Sequence, residues 1–398
     1  MQEFKSDDYV IQVHDSWQAI DEGAWNALLT QQKTPTPFMQ HAYLRAMQDT
    51  QAACPDTGWD LHIVTLWQRD PGPPDAGAER LCAAAPCYLK SHSYGEYVFD
   101  WAWADAYQRH GLRYYPKALV AAPFTPVPGS RLLAIDQAAR TALVRALIQF
   151  TEQHALSSLH LLFGDEADMQ ACTEAGLMLR HTVQFHWHNA SYTDFEDFLA
   201  HLSQEKRKKI RQERRKVAQA GVQFKVLRGT EIQTSDWDFF YRCYERTYLE
   251  HGNAPYLSRD FFAHMQRTQP ENWLLFVGEI EGRPMACSLL GLNASAAEGG
   301  VAYGRYWGAL ERVDCLHFEA CYYQPIAWCI ANGFVRFEGG AQGEHKMARA
   351  LLPVSTSSAH WLSHPGFSDA VARYLAQEGQ GVDAYLRDLN RRSPLRAD

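Results

Sequence analysis

Two stretches of this 398-residue chain repeat each other, and the repeat limits what the chain can fold into. The first reads PFMQHAYLRAMQDT from Pro37, and the second reads PYLSRDFFAHMQRT from Pro255. Each is followed by a tryptophan that opens an apolar run, WDLHIVTL from Trp59 and WLLFVGEI from Trp273. Internal repetition in the same order predicts two copies of one structural unit.

Each copy is predicted to contain two helices, a strand, a hairpin and a further strand. The segments WNALL from Trp25 and WDFFYRCYERTYLEH from Trp237 carry apolar residues at helical spacing. The runs after the later tryptophans are short and rich in Val, Ile and Leu, as strands are. Glu281-Gly282 predicts a tight turn in the second copy, whereas PGPPDAGAE predicts a longer loop at the same place in the first.

Later in each copy a helix is predicted to lead into a buried strand. The first copy has ALVRALIQFTEQHAL before LHLLF, and the second has HFEACYYQPIAWCIANG before VRFEGG. Pro325 lies inside the second helix, so we expect it to kink or split that helix. Gly333 is expected to end it. The pattern predicts an α/β fold in which each half is a mixed sheet with flanking helices.

Length and composition favour a folded protein of two ordinary domains or three small ones. The chain is 46% hydrophobic and 21% charged, which is typical of globular proteins. We expect a first domain over 1–190, a basic helical linker over 191–221, a second domain over 222–366, and a C-terminal helical tail over 367–398 that packs on the body. The net charge of −8 excludes polyanion binding by the surface as a whole, so such binding needs a local patch.

The sequence contains no membrane-spanning pattern and no secretion signal. No apolar run approaches the roughly 20 residues that a bilayer requires, and MQEFKSDDYV lacks the basic and apolar regions of a leader. The nine cysteines form no CxxC pair and sit largely in apolar stretches, which predicts buried reduced thiols. We therefore expect a cytoplasmic protein.

A basic run between the two copies is the clearest candidate for a binding surface. Thr193 and Glu196 predict a capping box for one helix that ends at Gly221. A solvated helix face is one interpretation of the run. The other is a phosphate-rich partner, such as RNA, a nucleotide-linked sugar or anionic lipid headgroups. The residues predicted to bind phosphate or tRNA are Lys206, Arg207, Lys209, Arg211, Arg214 and Arg215.

Three sequence blocks carry a resemblance to a known family. They are KRKKIRQERRK in the basic run, YYPKALVAAPFTPVPGSRLL from Tyr114, and FEGGAQGEHKMARALLPVSTSSAHW from Phe337. Together with the repeat, they make the chain resemble tandem GNAT acyltransferases, the Fem aminoacyltransferases and, within these, the FemAB-like group linked to peptidoglycan biosynthesis or recognition. The resemblance covers about residues 20–370.

The resemblance implies transfer of an acyl group to an amine. In Fem proteins the donor is an aminoacyl-tRNA and the acceptor is a peptidoglycan precursor, whereas ordinary GNAT enzymes hold acyl-CoA on a Q/R-x-x-G-x-G/A loop. The nearest match here runs from Arg305 to Leu310, RYWGAL, and ends in leucine where a small residue is expected. The implied donor is therefore aminoacyl-tRNA or acyl-CoA, with no tightly bound cofactor. The implied partners are tRNA or a nucleotide-linked cell-wall precursor, with peripheral membrane contact allowed and the oligomeric state open.

Such a site must position the amine against the donor carbonyl, remove a proton from the amine and stabilise the oxyanion. The strongest candidate segment follows a buried strand and contains Gly339, Gly340 and Gly343. In it, Glu344 or His345 is predicted to accept the proton. Lys346 and Arg349 are predicted to bind a carboxylate or phosphate. A surface turn with a solvated Glu–Lys pair is the alternative.

Two further sets are predicted to bind substrate. In the aromatic insert between Tyr88 and Arg140, we expect a substrate cleft wall rather than only a small satellite core. The strand predicted near residue 303 alternates in a way that places Tyr303, Arg305 and Trp307 on one face, although packing explains the same pattern. The predicted substrate-binding residues of the two sets are Asp100, Trp101, Lys117, Arg131, Tyr303, Arg305, Trp307 and Glu319.

The sequence supports three hypotheses for function. The first is an N-acyltransferase or aminoacyltransferase acting on an amine of a cell-wall precursor in the cleft between the domains. No Gly-x-Ser-x-Gly elbow is present, and the surroundings of Cys243 and Cys287 do not mark a nucleophile, so we expect direct attack without a covalent enzyme intermediate. The alternatives are an acyl-CoA-dependent N-acetyltransferase and a non-catalytic module that binds peptidoglycan or nucleic acid. The 17 histidines show no metal-binding spacing, so no metal is predicted.

Overall fold

The computed structural model describes residues 2–5, 9–69, 79–296, 298–341 and 343–396. The chain divides into two compact units. The first comprises Met1–Thr182 with Thr356–Asp383, and the second comprises Val183–Ser355 with Ala384–Asp398. The PGPPDAGAE loop lies outside the described residues except for its last residue, Glu79.

The helices and strands follow the predicted order. Residues up to 190 form β1 Gln2–Lys5, β2 Val10–His14, α1 Glu22–Thr30, α2 His41–Asp49, β3 Trp59–Arg69, β4 Glu79–Lys90, α3 Trp101–Arg109, β5 Lys117–Val120, β6 Leu133–Ala134, α4 Gln137–Gln153, β7 Ser158–Gly164, α5 Glu166–Glu174 and β8 Met178–His188. Residues from 191 form α6 Phe195–Ala200, α7 Gln204–Gln219, β9 Val222–Arg228, α8 Thr234–Glu250, α9 Arg259–Thr268, β10 Trp273–Ile280, β11 Arg283–Asn293, β12 Gly300–Ala309, α10 Leu316–Phe318, a π-helical segment Glu319–Tyr323, α11 Gln324–Ala331, β13 Phe334–Ala341, a 3-10 helix Glu344–Arg349, β14 Leu352–Leu362 and α12 Pro365–Arg391.

The first unit is built on a mixed sheet. Its strands follow the order β1-β2-β3-β4-β5-β7-β14. Pairing is antiparallel from β1 to β5, parallel between β5 and β7, and antiparallel between β7 and β14. Helix α4 packs its apolar face, including Leu143 and Leu147, against strand residues such as Val64 and Leu161. Burial of this face holds the helix on the sheet.

The second unit repeats this topology. Strands β9 to β12 pair antiparallel, β12 pairs with β13 in parallel, and β13 pairs antiparallel with β8. The tryptophans that mark the repeat are buried in both units: Trp25 and Trp59 in the first, Trp237 and Trp273 in the second. The predicted α/β class, with a mixed sheet and flanking helices in a duplicated arrangement, is confirmed.

Each sheet is completed by a strand from the other half of the sequence. In the first unit, Ser357–Leu362 of β14 pairs with β7. In the second unit, Gln184–His188 of β8 pairs with β13. The two copies of the repeat are therefore not contiguous folding segments, because each contributes its last strand to the other unit.

Two local predictions are confirmed and two are wrong. Pro325 lies in the first turn of α11, directly after the π-helical segment, so the predicted helix is split there. Glu281 and Gly282 both have positive φ and form the turn between β10 and β11. The single basic helix is in fact two helices, because the chain breaks at Leu202, which bridges Leu395. The first of them is capped by Asp194 rather than by a Thr193 capping box.

The segments predicted as a linker and a tail both pack on the units. Helices α6 and α7 belong to the second unit, where Phe198 and Ile210 join its core. Helix α12 contributes Val371 and Leu375 to a cluster in the first unit, and Leu389 to the core of the second. Among the helices that the structure describes, we find no candidate for a bilayer-crossing segment.

Candidate functional site

Helix α7 is anchored along one face. Ile210 and Val217 are buried there, as expected from their spacing on a helix. Glu213 lies between them and is buried as well. The remaining charged residues of the helix lie to either side of this stripe, so the anchored face determines which cations point to solvent.

Glu213 is the centre of a buried ionic cluster. Its carboxylate accepts hydrogen bonds from the Arg349 guanidinium at 2.9 and 3.1 Å and from the Tyr323 hydroxyl. Arg349 also donates to the carbonyl oxygen of His345 at 2.8 Å, and its guanidinium lies 3.7 Å from the ring centroid of Phe318. The cluster therefore ties α7 to the π-helical segment and to the 3-10 helix.

Arg214 provides a second tie beside the first. It forms an ion pair with Glu319 at 3.1 Å and lies 4.5 Å from the centroid of the Phe195 ring. Gln324 donates to the same carboxylate at 2.7 Å. The predicted phosphate-binding residue Arg214 and the predicted substrate-binding residue Glu319 are thus brought together, with their charges compensated.

Several cations of α7, Arg214 among them, line two cavities on the second unit. A cavity of about 480 Å³ is lined by Arg211, Arg214 and Arg215, by the acidic Glu196 and Glu319, and by apolar side chains such as Phe224. A wider groove of about 670 Å³ is lined by Arg207, Lys208, Arg211 and Arg215. Guanidinium groups grouped in this way are suited to phosphate oxygens.

Two of these cations have acidic neighbours. Arg211 pairs with Glu196 at 2.5 Å, and Lys206 pairs with Glu205 at 3.1 Å. Both pairs are largely exposed, so they hold their cations weakly. Lys209 is exposed on the same helix.

His345 lies at the end of a row of aromatic side chains. Its Nε2 is 3.2 Å from the Tyr322 hydroxyl, and the Tyr322 ring contacts that of His317, which in turn contacts Trp307. Burial, together with the charges of Lys346 and Arg349, lowers the pKa of His345. The imidazole is therefore largely neutral at pH 7 and able to accept a proton.

Gly343 permits this placement of His345. Its φ is +107°, and a Cβ on it would lie 2.5 Å from the His345 ring. Only a glycine fits that combination of conformation and close approach. The glycine before the predicted catalytic pair therefore has a defined steric role.

Lys346 is buried beside the backbone of β13. Its Nζ donates to the carbonyl oxygen of Gly340 at 3.1 Å. Burial lowers its pKa to about 8. The amine is thus still mostly protonated at pH 7 and can stabilise negative charge on a nearby oxygen.

Glu344 has different surroundings from His345. One carboxylate oxygen accepts from the Tyr385 hydroxyl at 2.7 Å, and the other pairs with Arg392 at 3.2 Å. The Tyr385 hydrogen bond and Arg392 lower the pKa of Glu344. Because these contacts stabilise the ionised carboxylate, Glu344 is a weaker proton acceptor, which favours His345 in that role.

The prediction that Tyr303, Arg305 and Trp307 share one strand face is wrong. The pairing of β12 with β11 shifts between Gly304 and Tyr306, so Arg305 is the extra residue of a β-bulge. As a result, Tyr303 and Trp307 lie on opposite faces. Arg305 contacts the Tyr306 ring, and Tyr303 is buried. The RYWGAL segment begins within β12, so it is not a phosphate-binding loop at a helix N-terminus.

Asp100 and Lys117 form a buried cluster in the first unit. The Lys117 Nζ donates to Asp100, to Glu96 at 2.8 Å and to Ser93 at 2.8 Å. Burial would raise the pKa of the Asp100 carboxyl, but Lys117 holds it below its usual value. Burial raises the pKa of Glu96 to about 7.

Asp100 is the first member of a chain of buried hydrogen bonds. Asp100 accepts from the Tyr114 hydroxyl at 2.6 Å, and that hydroxyl is 3.2 Å from the His160 Nε2. The Nδ1 atoms of His160 and His360 are 2.7 Å apart. Among these residues, only Asp100 and Lys117 were predicted from the sequence.

The other two predicted residues of the first unit differ sharply in exposure. Arg131 is buried, and its guanidinium donates to the carbonyl oxygens of Gly129 and Val127. Trp101 is exposed at the start of α3.

The structure thus gathers one group of predicted residues in the second unit. It comprises Trp307, Glu319, His345, Lys346, Arg349 and the cations of α7. Asp100, Trp101, Lys117 and Arg131 lie in the first unit. Within the described ranges, no three His, Cys, Asp or Glu side chains converge to hold a metal ion.

Comparison with solved structures gives the fold. The C-terminal domain of a protein assigned as a lysylphosphatidylglycerol synthetase from Agrobacterium fabrum matches with a TM-score of 0.51 and 10% identity, over 90% of this chain and 96% of that one. The L-PGS structure from Bacillus licheniformis matches with a TM-score of 0.52 and 11% identity, over 89% and 97%. A tandem GNAT protein from the clavulanic acid biosynthesis pathway matches at 0.43 and 10%, over 89% and 99%. No curated protein matches the sequence significantly.

The likeness to the two lysylphosphatidylglycerol synthetase structures shows that the chain shares their fold. The FemAB-like family model, described as peptidoglycan biosynthesis/recognition, matches residues 16–397. The chain belongs to that family, as its three sequence blocks predicted. Membership supports an acyltransferase or aminoacyltransferase connected with peptidoglycan.

Proposed function

We propose that this protein joins an activated acyl or aminoacyl group to an amine of a cell-wall precursor. The amine attacks the ester carbonyl of the donor directly. A C–N bond forms, the C–O bond to the donor breaks, and the proton lost by the amine is passed to the departing oxygen, which leaves as a hydroxyl group. The chemistry takes place in the second unit, and the phosphate-bearing donor lies along α7.

One observation carries the proposal. The Glu213–Arg349 ion pair fixes α7 to the 3-10 helix that holds His345 and Lys346, and the Arg214–Glu319 pair fixes it to the π-helical segment that holds Tyr322. A surface of exposed cations and a neutral histidine therefore share one rigid framework. A polyanionic donor bound to that surface would present its reactive end at a fixed distance from the proton acceptor, which is the main requirement of such a reaction.

The side chains suit the steps of amide formation. His345 accepts the proton of the attacking amine, and Tyr322 orients its ring. Lys346 stabilises the oxyanion that develops on the carbonyl. Burial raises the pKa of Cys321 to about 12 and that of Cys287 well above its usual value, which argues against thiolate nucleophiles and supports direct attack.

The geometry favours aminoacyl-tRNA over acyl-CoA as the donor. The nearest sequence match to a CoA pyrophosphate loop begins in strand β12, where its amides pair with β11. By contrast, α7 offers a row of cations long enough for several phosphates. We place the reaction in the cytoplasm, where charged tRNA and nucleotide-linked precursors occur.

The test is an amide-forming assay with a matched pair of variants. The purified protein is incubated with a mixed aminoacyl-tRNA pool or with acyl-CoAs, plus a panel of nucleotide-linked muropeptides and amino sugars, and products are identified by mass spectrometry. We expect a product with charged tRNA that falls about 100-fold in His345→Gln. His251→Gln, an exposed histidine on the second unit, should react at the wild-type rate.

Two results would contradict the proposal. Turnover with acyl-CoA but not with tRNA would assign the donor to the CoA class. No amide with any donor, together with tight binding of muropeptide or RNA, would make the protein a non-catalytic binding module.

A further inference from the structure

The aromatic insert of the first unit exposes several large apolar side chains. Tyr94, Phe99 and Trp101 are 61%, 52% and 40% exposed, and Tyr97 and Leu112 are also exposed. The rings of Tyr94 and Trp101 are in contact, with centroids 5.1 Å apart. Exposed aromatic groups of this size mark a binding surface.

A cavity of about 550 Å³ adjoins Trp101 and Leu112 of this group. Its lining includes the apolar Trp101 and Leu112 and the polar Asp105, Gln108, Tyr114 and Tyr115. Among the described residues that line it, none is a lysine or an arginine. The acidic Asp105 is paired with Arg109 at 3.6 Å, so the cavity suits a neutral ligand better than a phosphate.

The backbone beneath the exposed aromatics is fixed. Arg180 donates to the carbonyl oxygen of Phe99 at 2.7 Å, while it is held by a bidentate pair with Glu378 at 2.8 Å. On the inner side of α3, Trp103 and Tyr107 are buried in the cluster that also contains residues of α12. A rigid backbone that exposes aromatic rings loses little entropy on binding.

The polar groups at the cavity are also oriented. The Tyr115 hydroxyl is 2.8 Å from Ser93 Oγ, which accepts a hydrogen bond from the buried Lys117. This chain of contacts fixes the hydroxyl, while Asp105 and Gln108 supply further hydrogen-bonding groups at the rim. The cavity therefore combines flat apolar rings with a few fixed polar groups, as ligand sites do.

We propose that this surface binds the sugar rings of a neutral glycan of the N-acetylhexosamine class. One face of a pyranose ring presents C–H groups, which pack on the π face of an aromatic ring, while its hydroxyls exchange hydrogen bonds with the rim. Trp101, which lines the cavity, provides the stacking face, and Tyr94 packs against Trp101 at an interplanar angle of 60°. The Asp105 carboxylate accepts from the sugar hydroxyls, and Gln108 and Tyr115 provide further hydrogen-bonding groups. The inference rests in part on the proposed function, since it assigns the sugar portion of the acceptor to the first unit.

The test measures binding without any acyl donor. Chitotetraose is titrated into the full-length protein, and affinity is measured by calorimetry and by ¹H–¹⁵N NMR shifts of the tryptophan side chains. We expect binding that weakens about tenfold or more in Trp101→Ala and in Tyr94→Ala, and that is largely retained in Trp101→Tyr. Leu249→Ala removes an equally exposed apolar side chain from the second unit and should have no effect.

Other outcomes would overturn the inference. These are no binding of chitotetraose by a folded protein, equal binding by Trp101→Ala, or Trp101-dependent binding to phosphatidylcholine vesicles in place of the sugar. Binding of a sugar-free stem peptide that Trp101→Ala abolishes would assign the surface to peptide instead. Because no donor is present, these results are independent of whether amide formation occurs.

Discussion

Glu213 and Arg349, which are 136 residues apart in the sequence, form a buried ion pair at 2.9 Å. The pair joins the basic helix to the 3-10 helix that carries His345 and Lys346. Binding of a polyanion to α7 therefore acts on a helix that is rigidly connected to the proposed catalytic groups. Substitutions can test three features separately: the ion pair, the proposed catalytic groups beside it, and the cationic surface of α7.

Removing Glu213 should destabilise the second unit. Glu213→Ala leaves the Arg349 guanidinium buried without its carboxylate, which costs about 3–5 kcal/mol of unfolding free energy. Urea denaturation of Glu213→Ala, Arg349→Met and the double variant gives a double-mutant cycle. The double variant should lose less than the two single losses added together. Additive losses would show that the two residues do not interact.

The pH dependence of the reaction should have two limbs. Because the pKa of His345 is lowered, the imidazole is the neutral base above about pH 6.5, and the rate should fall only at lower pH. The pKa of Lys346 is about 8, so its positive charge, and with it the rate, is lost above that pH.

Variants of His345 and Lys346 can show which group causes each limb of the dependence of rate on pH. Lys346→Arg keeps its charge at every pH and should remove the alkaline limb, while His345→Gln should remove the acidic limb and leave a slow reaction. Measurement of kcat against pH for the three proteins checks both. An alkaline limb that persists in Lys346→Arg would assign it to another group.

The exposed cations of α7 should control the salt dependence of donor binding. Lys208→Gln with Arg215→Gln removes two groove residues without touching the buried stripe. We expect the slope of log affinity against log salt to decrease by about 0.7–0.9 for each phosphate that the variant no longer neutralises. Filter binding of tRNA over a salt series measures it. Arg267→Gln, an exposed arginine on α9, is the control, and an equal change in that variant would indicate a non-specific charge effect.

Acid should destabilise the first unit through His160 and His360. Burial lowers the pKa of His160 to about 3 and that of His360 well below its usual value, whereas both titrate near 6.5 in the unfolded chain. Between those values the unfolded state binds more protons, so stability is complete above about pH 6.5 and is lost as pH falls. Each histidine should contribute a slope of about 1.4 kcal/mol per pH unit.

The charged groups around the two histidines do not reverse that sign. Lys117 and Arg180 further disfavour protonation, and Asp100, which opposes it, is neutralised by Lys117. His360→Gln should therefore flatten the dependence of unfolding free energy on pH between about 5 and 6.5. His110→Gln, an exposed histidine, should leave it as in the wild type. An unchanged slope in His360→Gln would refute the assignment.

The sequence predicted the regular elements well because their signals are local. Apolar runs after Trp59 and Trp273 identified β3 and β10, and Pro325 identified the start of α11, since each depends only on nearby residues. The strand exchange left no such signal, because pairing of β14 with β7 joins residues about 200 positions apart.

The site was less predictable, and the reasons differ between residues. The β-bulge at Arg305 places Tyr303 and Trp307 on opposite faces of β12, and nothing in the sequence RYWG predicts a bulge. Glu213 could have been found: it is the only acidic residue within the run of cations, and it lies three residues after Ile210 and four before Val217, on the buried stripe. His160 and His360 were missed because only tertiary pairing brings them together.

The exchanged strands also constrain how the chain can be made. In many proteins the N-terminal domain folds while the rest is still being synthesised. Here β7 pairs with Ser357–Leu362, about 200 residues later in the chain, so the sheet of the first unit is complete only after that segment has been synthesised. A polypeptide cut between α6 and α7 would yield two fragments, each missing the strand that the other retains. Neither half of the sequence therefore encodes a complete sheet by itself.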